Sequence, residues 1–276
     1  MPDNPQRVGI FVQALSSPDL IRLRCAMAQV HTPAFFDAFR RLLRGRLRFD
    51  TFLMMRFDPS GPPVLLGRWV KRDVVPSDAL DPYIAGAYRL DPFYQRADVP
   101  PAGALYRLSD IAPDRFYSSA YFLSYFRLTR LRDEVGLLAP LPSGSVAHLS
   151  FSRRDLRGTF RRREVQCLQH YSPILLELLA THCQHLQLND PRIGPRKDTA
   201  SLDQLIRDQV TGTQAASLTA REAQIAALVL QGHSNASAAL SLGIARETAK
   251  VHRRNLYGKL AISSQGELFG MLGNLL

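Results

Sequence analysis

Lysine, cysteine and tryptophan are scarce in this sequence. Its 276 residues include four lysines (Lys71, Lys197, Lys250 and Lys259), three cysteines and a single tryptophan, Trp69. Cys25, Cys167 and Cys183 are odd in number and widely spaced, which excludes a disulfide framework and suits a reducing compartment. Whether any of the three has a redox role stays open. No stretch approaches ~18 uninterrupted apolar residues, so no membrane span is predicted. The start, MPDNPQRVGIFVQ, lacks a signal peptide's basic leader and long apolar core, and a cytoplasmic location is expected. Phosphate loop, Gly-x-Ser-x-Gly elbow and metal-protease helix are also missing. No catalytic residue and no cofactor are therefore assigned, and an enzyme is not expected.

Against these absences stand a hydrophobic content of 46% and a net charge of +11. The first supplies a core. The second, with a pI near 10.1, points to a polyanionic partner, nucleic acid first. Residues 201–276 hold seven basic residues against five acidic ones, so most of the excess lies earlier. Bulk charge does not locate a DNA site here; local clustering does.

The order along the chain reads as helices, a strand pair, helices, a second strand pair and a long helix. SSPDLIRLRCAMAQV places Ser17 as a cap with Pro18 and Asp19 in the first turn, and TPAFFDAFRRLLRGRL repeats the device with Thr32 and Pro33. DTFLMMRF and PVLLGRWV read as strands around the turn DPSGP. Residues 78–130 read as helical and irregular, rich in Tyr and Phe. DEVGLLAPL and SVAHLSFS form the second pair, and a helix from about Thr159 to Leu188 follows. Antiparallel strands with helices on their faces make an α+β domain of the kind used by small-molecule sensors. Residues 1–188 are assigned to it. Residues 189–216 read as a linker with a possible short helix, from the Pro, Gly and mixed charge of QLNDPRIGPRKDTAS.

Residues 217–276 parse into four helices. Thr219 caps the first with Glu222 three positions on, and Gly232 ends it. Ser234 or Asn235 caps a short second helix, LGI makes a tight turn, and RETAKVHRRNLYGKL follows. This is a helix-turn-helix signature. At ~100° per residue, Ala249, Arg253, Leu256 and Leu260 share one side of the basic helix, with His252 at its edge. Glu247, Lys250, Val251, Arg254 and Gly258 share the other. Long donors plus a small apolar group are what base edges and a thymine methyl require, so Lys250, Val251 and Arg254 are assigned to base reading. Ser234, Asn235, Thr248, His252, Arg253 and Lys259 are assigned to the DNA backbone. A solvated basic helix is the bland alternative.

Residues 217–270 resemble the C-terminal domain of LuxR-type transcriptional regulators. The matching residues are Leu218-Thr219-x-Arg221-Glu222, Gly232-x-Ser234-Asn235, Ala239, Leu242-Gly243-Ile244, Thr248-x-Lys250-Val251-His252, Asn255-x-Tyr257-x-Lys259-Leu260 and Glu267-Leu268. The resemblance implies a homodimer on double-stranded DNA. The sequence departs from the pattern at Ala238, Ala245, Ala249 and Gln265. Ala245 stands where a serine commonly caps the reading helix, and a lost cap costs about 1 kcal/mol.

Such regulators carry different input domains. A phosphorylated receiver would need an early acidic pair, an acceptor Asp and a later Lys, and about 190 residues is too long for one. The length suits the ligand-binding domain of acyl-homoserine-lactone receptors, GAF- or PAS-like in build, and Asp91-Pro92 in PYIAGAYRLDPFYQ echoes their ligand-bonding Asp-Pro pair. The tryptophan and tyrosine expected thirteen and nine residues earlier fall on Asp78 and Pro82. The implied effector is an acyl-homoserine lactone or another metabolite. Its candidate contacts are Trp69, Tyr83, Tyr88, Asp91, Phe93, Tyr94, Tyr117 and Tyr121, an aromatic lining with few polar groups. Two other readings compete: the aromatics are core and Asp91 a helix cap, or the chain is a ligand-independent interaction and dimerisation protein that does not read DNA. Cys167, His170, His182 and His185 share helix faces, but ~22 Å of helix rise between Cys167 and His182 argues against a metal, and none is assigned.

Overall fold

The computed structural model describes residues 16–59, 61–71, 80–97, 103–127, 129–154, 158–188, 200–213 and 217–273. Two helices lead, α1 (Ser17–Ala28) and α2 (Phe35–Arg44). Strands β1 (Thr51–Phe57) and β2 (Val64–Val70) follow as an antiparallel pair. The aromatic stretch breaks into helices α3 (Asp81–Ala85) and α4 (Pro92–Ala97), strand β3 (Ala104–Arg107) and helix α5 (Leu108–Ile111). Tight turns then run through Phe116–Ser118 and a π-helical turn through Phe122–Phe126. Strands β4 (Leu131–Pro140) and β5 (Val146–Arg154) lead into α6 (Arg162–Leu188).

The five strands form one antiparallel sheet in the order β2-β1-β5-β4-β3. One face carries Phe52, Met54, Val135, Leu137, Leu149 and Phe151, and packs on Phe35 and Phe39 of α2 and on Leu168, Leu175 and Leu179 of α6. The other carries Met55, Phe57 and Leu138 beneath Tyr83, Tyr88, Phe93, Phe116, Tyr121 and Phe126. A bulge between Leu131 and Asp133 resets the alternation of β4. It places Glu134, Gly136 and Leu138 on the aromatic side while Val135, Leu137 and Ala139 face the long helices.

The local sequence misleads in three places. Strand β3 lies inside the stretch read as helical; four residues are too short to show alternation, and ALYR is a strand because the edge of β4 supplies partners from Val135 to Leu138. Arg107 anchors it with a 2.8 Å ion pair to Asp133. The cap of α1 is Ser16 rather than Ser17, because the Ser16 backbone and hydroxyl reach the Asp19 carboxylate. Helix α2 starts at Phe35, after Thr32 has turned back to donate to the Gln29 carbonyl at 2.9 Å. Half of the predicted linker, residues 189–199 and 214–216, lies outside the described residues, as does Ser60 of the turn DPSGP.

Helix α6 runs unbroken through Pro173, so Cys167 and His182 stay apart. His182 accepts the His31 amide at 3.2 Å, and burial pushes the Cys183 thiol up to about 12. Neither arrangement makes a reactive thiolate or a metal cage.

Helix α7 (Leu202–Thr213) precedes α8 (Ala220–Gln231), α9 (Asn235–Leu242), α10 (Arg246–Lys259) and α11 (Gln265–Leu272). Leu202, Ile206 and Val210, four residues apart, bury the inner stripe of α7. Thr219 and Glu222 complete their reciprocal cap, and Gly232 takes φ +99°, a conformation that favours glycine.

Gly136 is required by close approach. A Cβ there would lie 2.6 Å from the Phe93 ring and 2.8 Å from His148 Nε2. Gly136→Ala is expected to cost about 1–3 kcal/mol. Urea denaturation should show a lower midpoint at an unchanged slope; an unchanged midpoint would mean the ring moves freely.

Candidate DNA-reading helix and buried carboxylate site

On α10, Ala249, Leu256 and Leu260 are buried while Lys250, Val251 and Arg254 are exposed, as the helical spacing requires. Lys250 pairs with Glu247 at 3.1 Å, one turn back in solvent. Arg254 has no partner among the described residues. Arg253 lies along the helix edge, with Nη2 donating to the Tyr257 hydroxyl at 2.9 Å and Nη1 to Asn235 Oδ1 at 3.4 Å. Thr248 is exposed and His252 half-buried. Lys259 is tied to α8 at the bundle surface: Nζ donates to Glu222 Oε2 at 2.8 Å and to the Ser217 carbonyl at 3.2 Å, with the side chain still 38% exposed. That pairing braces the cap of α8, and with desolvation outweighed by these bonds the Glu222 carboxyl is held below its ordinary range. Ala245 is the N-cap of α10 and offers no side-chain cap bond.

The N-terminus of α9 is covered. Ser234 Oγ accepts the Ser237 amide at 3.2 Å, while the Ser234 amide itself donates to Asp114 Oδ1 at 2.9 Å. The Arg115 amide donates to the Gly232 carbonyl at 2.9 Å, and Gln265 Nε2 donates to the Ser118 carbonyl at 3.0 Å. A Cβ on Gly232 would meet that of Ser119 at 2.9 Å, so the two segments touch backbone to backbone. Burial works against charge on Asp114, but the bonds from Ser234 outweigh it and hold this carboxyl below its usual range.

Asp91 caps a helix, as one of the two readings of it expects, and also bonds a buried tyrosine. Its Oδ1 accepts the Phe93 amide at 2.8 Å, capping α4, and its Oδ2 accepts the Tyr83 hydroxyl at 2.7 Å. Tyr121 also bonds it. Beside it lies a second buried carboxylate, Glu134, bonded to Ser150. Burial raises Asp91 to about 6 despite those bonds, and burial with the charge of Asp91 raises Glu134 to about 8. Among the described residues no Arg or Lys pairs with either.

Of the predicted contacts, the structure brings Tyr83, Asp91 and Tyr121 together, with Phe93 on the sheet below. Tyr88 and Tyr94, 4.9 Å apart, lie further out and line a cleft of about 610 Å³ that also borders α7, α8 and α9. Trp69 is elsewhere. It packs edge-on to Phe49 on the opposite face, under Arg40 and Arg44, because β2 turns that side toward α2. Tyr117 is 60% exposed and packs on Phe116 and Phe122. Sequence reasoning missed Glu134, Ser150, Tyr125 as a site residue, and Asp114. The pair His148 and Ser150, alternating on one strand, was a usable signal; Glu134 became one only through the bulge.

The raised carboxyls give a sign. An acid whose folded pKa exceeds its unfolded value stabilises the fold below the unfolded pKa and loses that contribution as pH climbs to the folded one. For Glu134 the window runs from its model-peptide value of 4.5 to about 8. The thermal midpoint should therefore fall between pH 5 and pH 8, and Glu134→Gln should flatten the fall. A variant with the parental slope would show that Glu134 is not the buried acid.

A sequence profile described as bacterial regulatory proteins, luxR family, matches residues 216–272. An HTH-type transcriptional regulator encoded in the exeN 3′ region of Aeromonas salmonicida is 31% identical over 184 residues, spanning 67% of this chain and 93% of that one. Among solved structures, the ligand-binding domain of VqsR from Pseudomonas aeruginosa is similar at TM-score 0.53 and 22% identity, covering 63% of this chain and all of that domain, which shows a shared fold. No described helix is long and apolar enough to cross a membrane. The family regulates transcription and is not enzymatic. With residues 216–272 matched by the family's profile and a regulator matched over nearly its whole length, the chain belongs to the LuxR family of bacterial transcriptional regulators.

Proposed function

We propose that the chain is a one-component, homodimeric regulator of the cytoplasm. A small-molecule effector, an acyl-homoserine lactone or another metabolite, binds the site around Asp91 and controls how α10 engages a two-fold-related DNA site. Lys250, Val251 and Arg254 meet base edges. Ser234, Asn235, Thr248, His252 and Arg253 meet phosphates.

One observation carries this reading. A single segment, Asp114 to Tyr125, holds both ends of the signal. Tyr121 and Tyr125 belong to the buried carboxylate site, and Asp114, Arg115 and Ser118 grip the helix-turn-helix. The N-terminal amides of a helix are a natural phosphate site. Here the Asp114 carboxylate takes the Ser234 amide, so it competes for a donor that a DNA phosphate would use. An effector that shifts Tyr121 moves the segment and frees α9. The energy of one charge-assisted bond and its neighbours is in the range of ordinary coupling free energies, about 1–3 kcal/mol.

Anisotropy titrations on DNA from the gene's own upstream region test both halves. Wild type should bind with affinity that falls steeply with salt. Ligand-free Asp114→Ala should bind about tenfold tighter, within that coupling range. Arg254→Ala should lose preference among base substitutions, at about 1–3 kcal/mol for the base it reads. Salt-independent binding, or an Asp114→Ala variant matching wild type, would refute the scheme.

A further inference from the structure

The carboxylate site is more polar than a lactone amide requires. One acceptor, Asp91, would serve such a ligand. The sheet beneath adds a second carboxylate and a row of hydroxyls. The register places Glu134, Ser152 and Thr51 side by side across three strands, on the same face. Ser150 stands in the next row and bonds Glu134. Two buried polar atoms on this face have no hydrogen-bond partner among the described residues: Thr51 Oγ1, in the row of Glu134, and His148 Nε2, aimed over Gly136 two positions along. Thr51 is 4% exposed and His148 3%.

Above the carboxylates stand three tyrosines. Ring centroids are 5.2 Å apart for Tyr83 and Tyr125, 5.5 Å for Tyr121 and Tyr125, and 6.4 Å for Tyr83 and Tyr121. Aromatic rings converging on carboxylates are the composition that recognises an ammonium group: the ring faces attract the cation and the carboxylate accepts its protons. Two buried acids without a cation are costly, and a ligand that brings one compensates them. Tyr88 packs on both Tyr83 and Tyr94, so the aromatic surface continues outward to the cleft of about 610 Å³. At that mouth Arg89 already lies 4.6 Å over the Tyr88 ring.

We infer that the effector is a small molecule carrying a protonated amine on an apolar body, its ammonium held by Glu134 and Asp91 within the cage of Tyr83, Tyr121 and Tyr125. This rests on the effector reading above and names its chemical class. Binding draws the Glu134 proton off: the carboxyl, neutral at pH 7 when alone, ionises against the ammonium and releases a proton to solvent.

Three six-carbon probes test it on the full chain: n-hexylamine, 1-hexanol and N-hexanoyl homoserine lactone. Calorimetric titration at pH 7 in phosphate and in MOPS, neither of which carries a primary ammonium, should show binding of the amine alone, with heats that differ between buffers because a proton is released. Glu134→Gln should weaken the amine about tenfold or more and abolish the buffer dependence, a loss in the range seen for buried charge pairs. Trp69→Phe, on the other face, should change neither. The inference is overturned if hexanol or the lactone binds as tightly as the amine, or if Glu134→Gln keeps full affinity. Lactone binding alone would retain the effector reading and sink the ammonium. If none of the three binds while a bacterial metabolite extract raises the thermal midpoint, the ammonium falls and the effector reading survives. Silence from the extract as well removes both.

Discussion

The carboxylate of Asp91, held in a buried site by the Phe93 amide and the hydroxyls of Tyr83 and Tyr121, is the contact on which the rest of the molecule hangs. It starts α4, which lays Phe93 over Gly136 and His148 on the sheet. It fixes Tyr121, which sets where the preceding turns run. Those turns carry Phe116 into the core, and the adjoining Asp114 and Arg115 reach the helix-turn-helix. A buried polar group of this kind is stable only while its partners stay in place, so a change at the site is transmitted rather than absorbed.

Apolar packing reinforces the path. The cluster containing Tyr83 and Phe116 continues without interruption through Ile206 and Leu230 to Leu256 of the reading helix. Rigid-body displacement of α8 to α11 must therefore break aliphatic contacts as well as the three hydrogen bonds from the 114–118 segment. Gln265 stands where the family often has an arginine. Here its amide spans the Ser118 and Val229 carbonyls, at 3.0 and 2.9 Å, so this departure joins the two parts of the chain. Ala245, by contrast, leaves the first turn of α10 without a side-chain cap bond.

Periodicity made the C-terminal helices legible, because cap, Gly and amphipathic stripe are all local. It also gave both strand pairs and the long helix. Asp91 was legible through Asp-Pro, a local signal as well. What the sequence could not show depends on pairing at a distance. Strand β3 exists only against β4. Trp69 was assigned to the ligand site by residue type, whereas the face of β2 on which it stands is decided by the register with β1. Glu134 faces the tyrosines because of a bulge, and Lys259, read as a phosphate grip, meets a carboxylate 37 positions earlier. Asp114 carries no signal at all until Ser234 folds against it.

The central claim is that the 114–118 segment holds the DNA-binding helices in a non-binding arrangement. A disulfide introduced with Asp114→Cys and Ser234→Cys tests it most directly, with bond formation verified by mass spectrometry. The account predicts that the oxidised chain fails to bind its DNA site under any effector and that reduction restores binding. Equal DNA affinity in the oxidised and reduced states would contradict it.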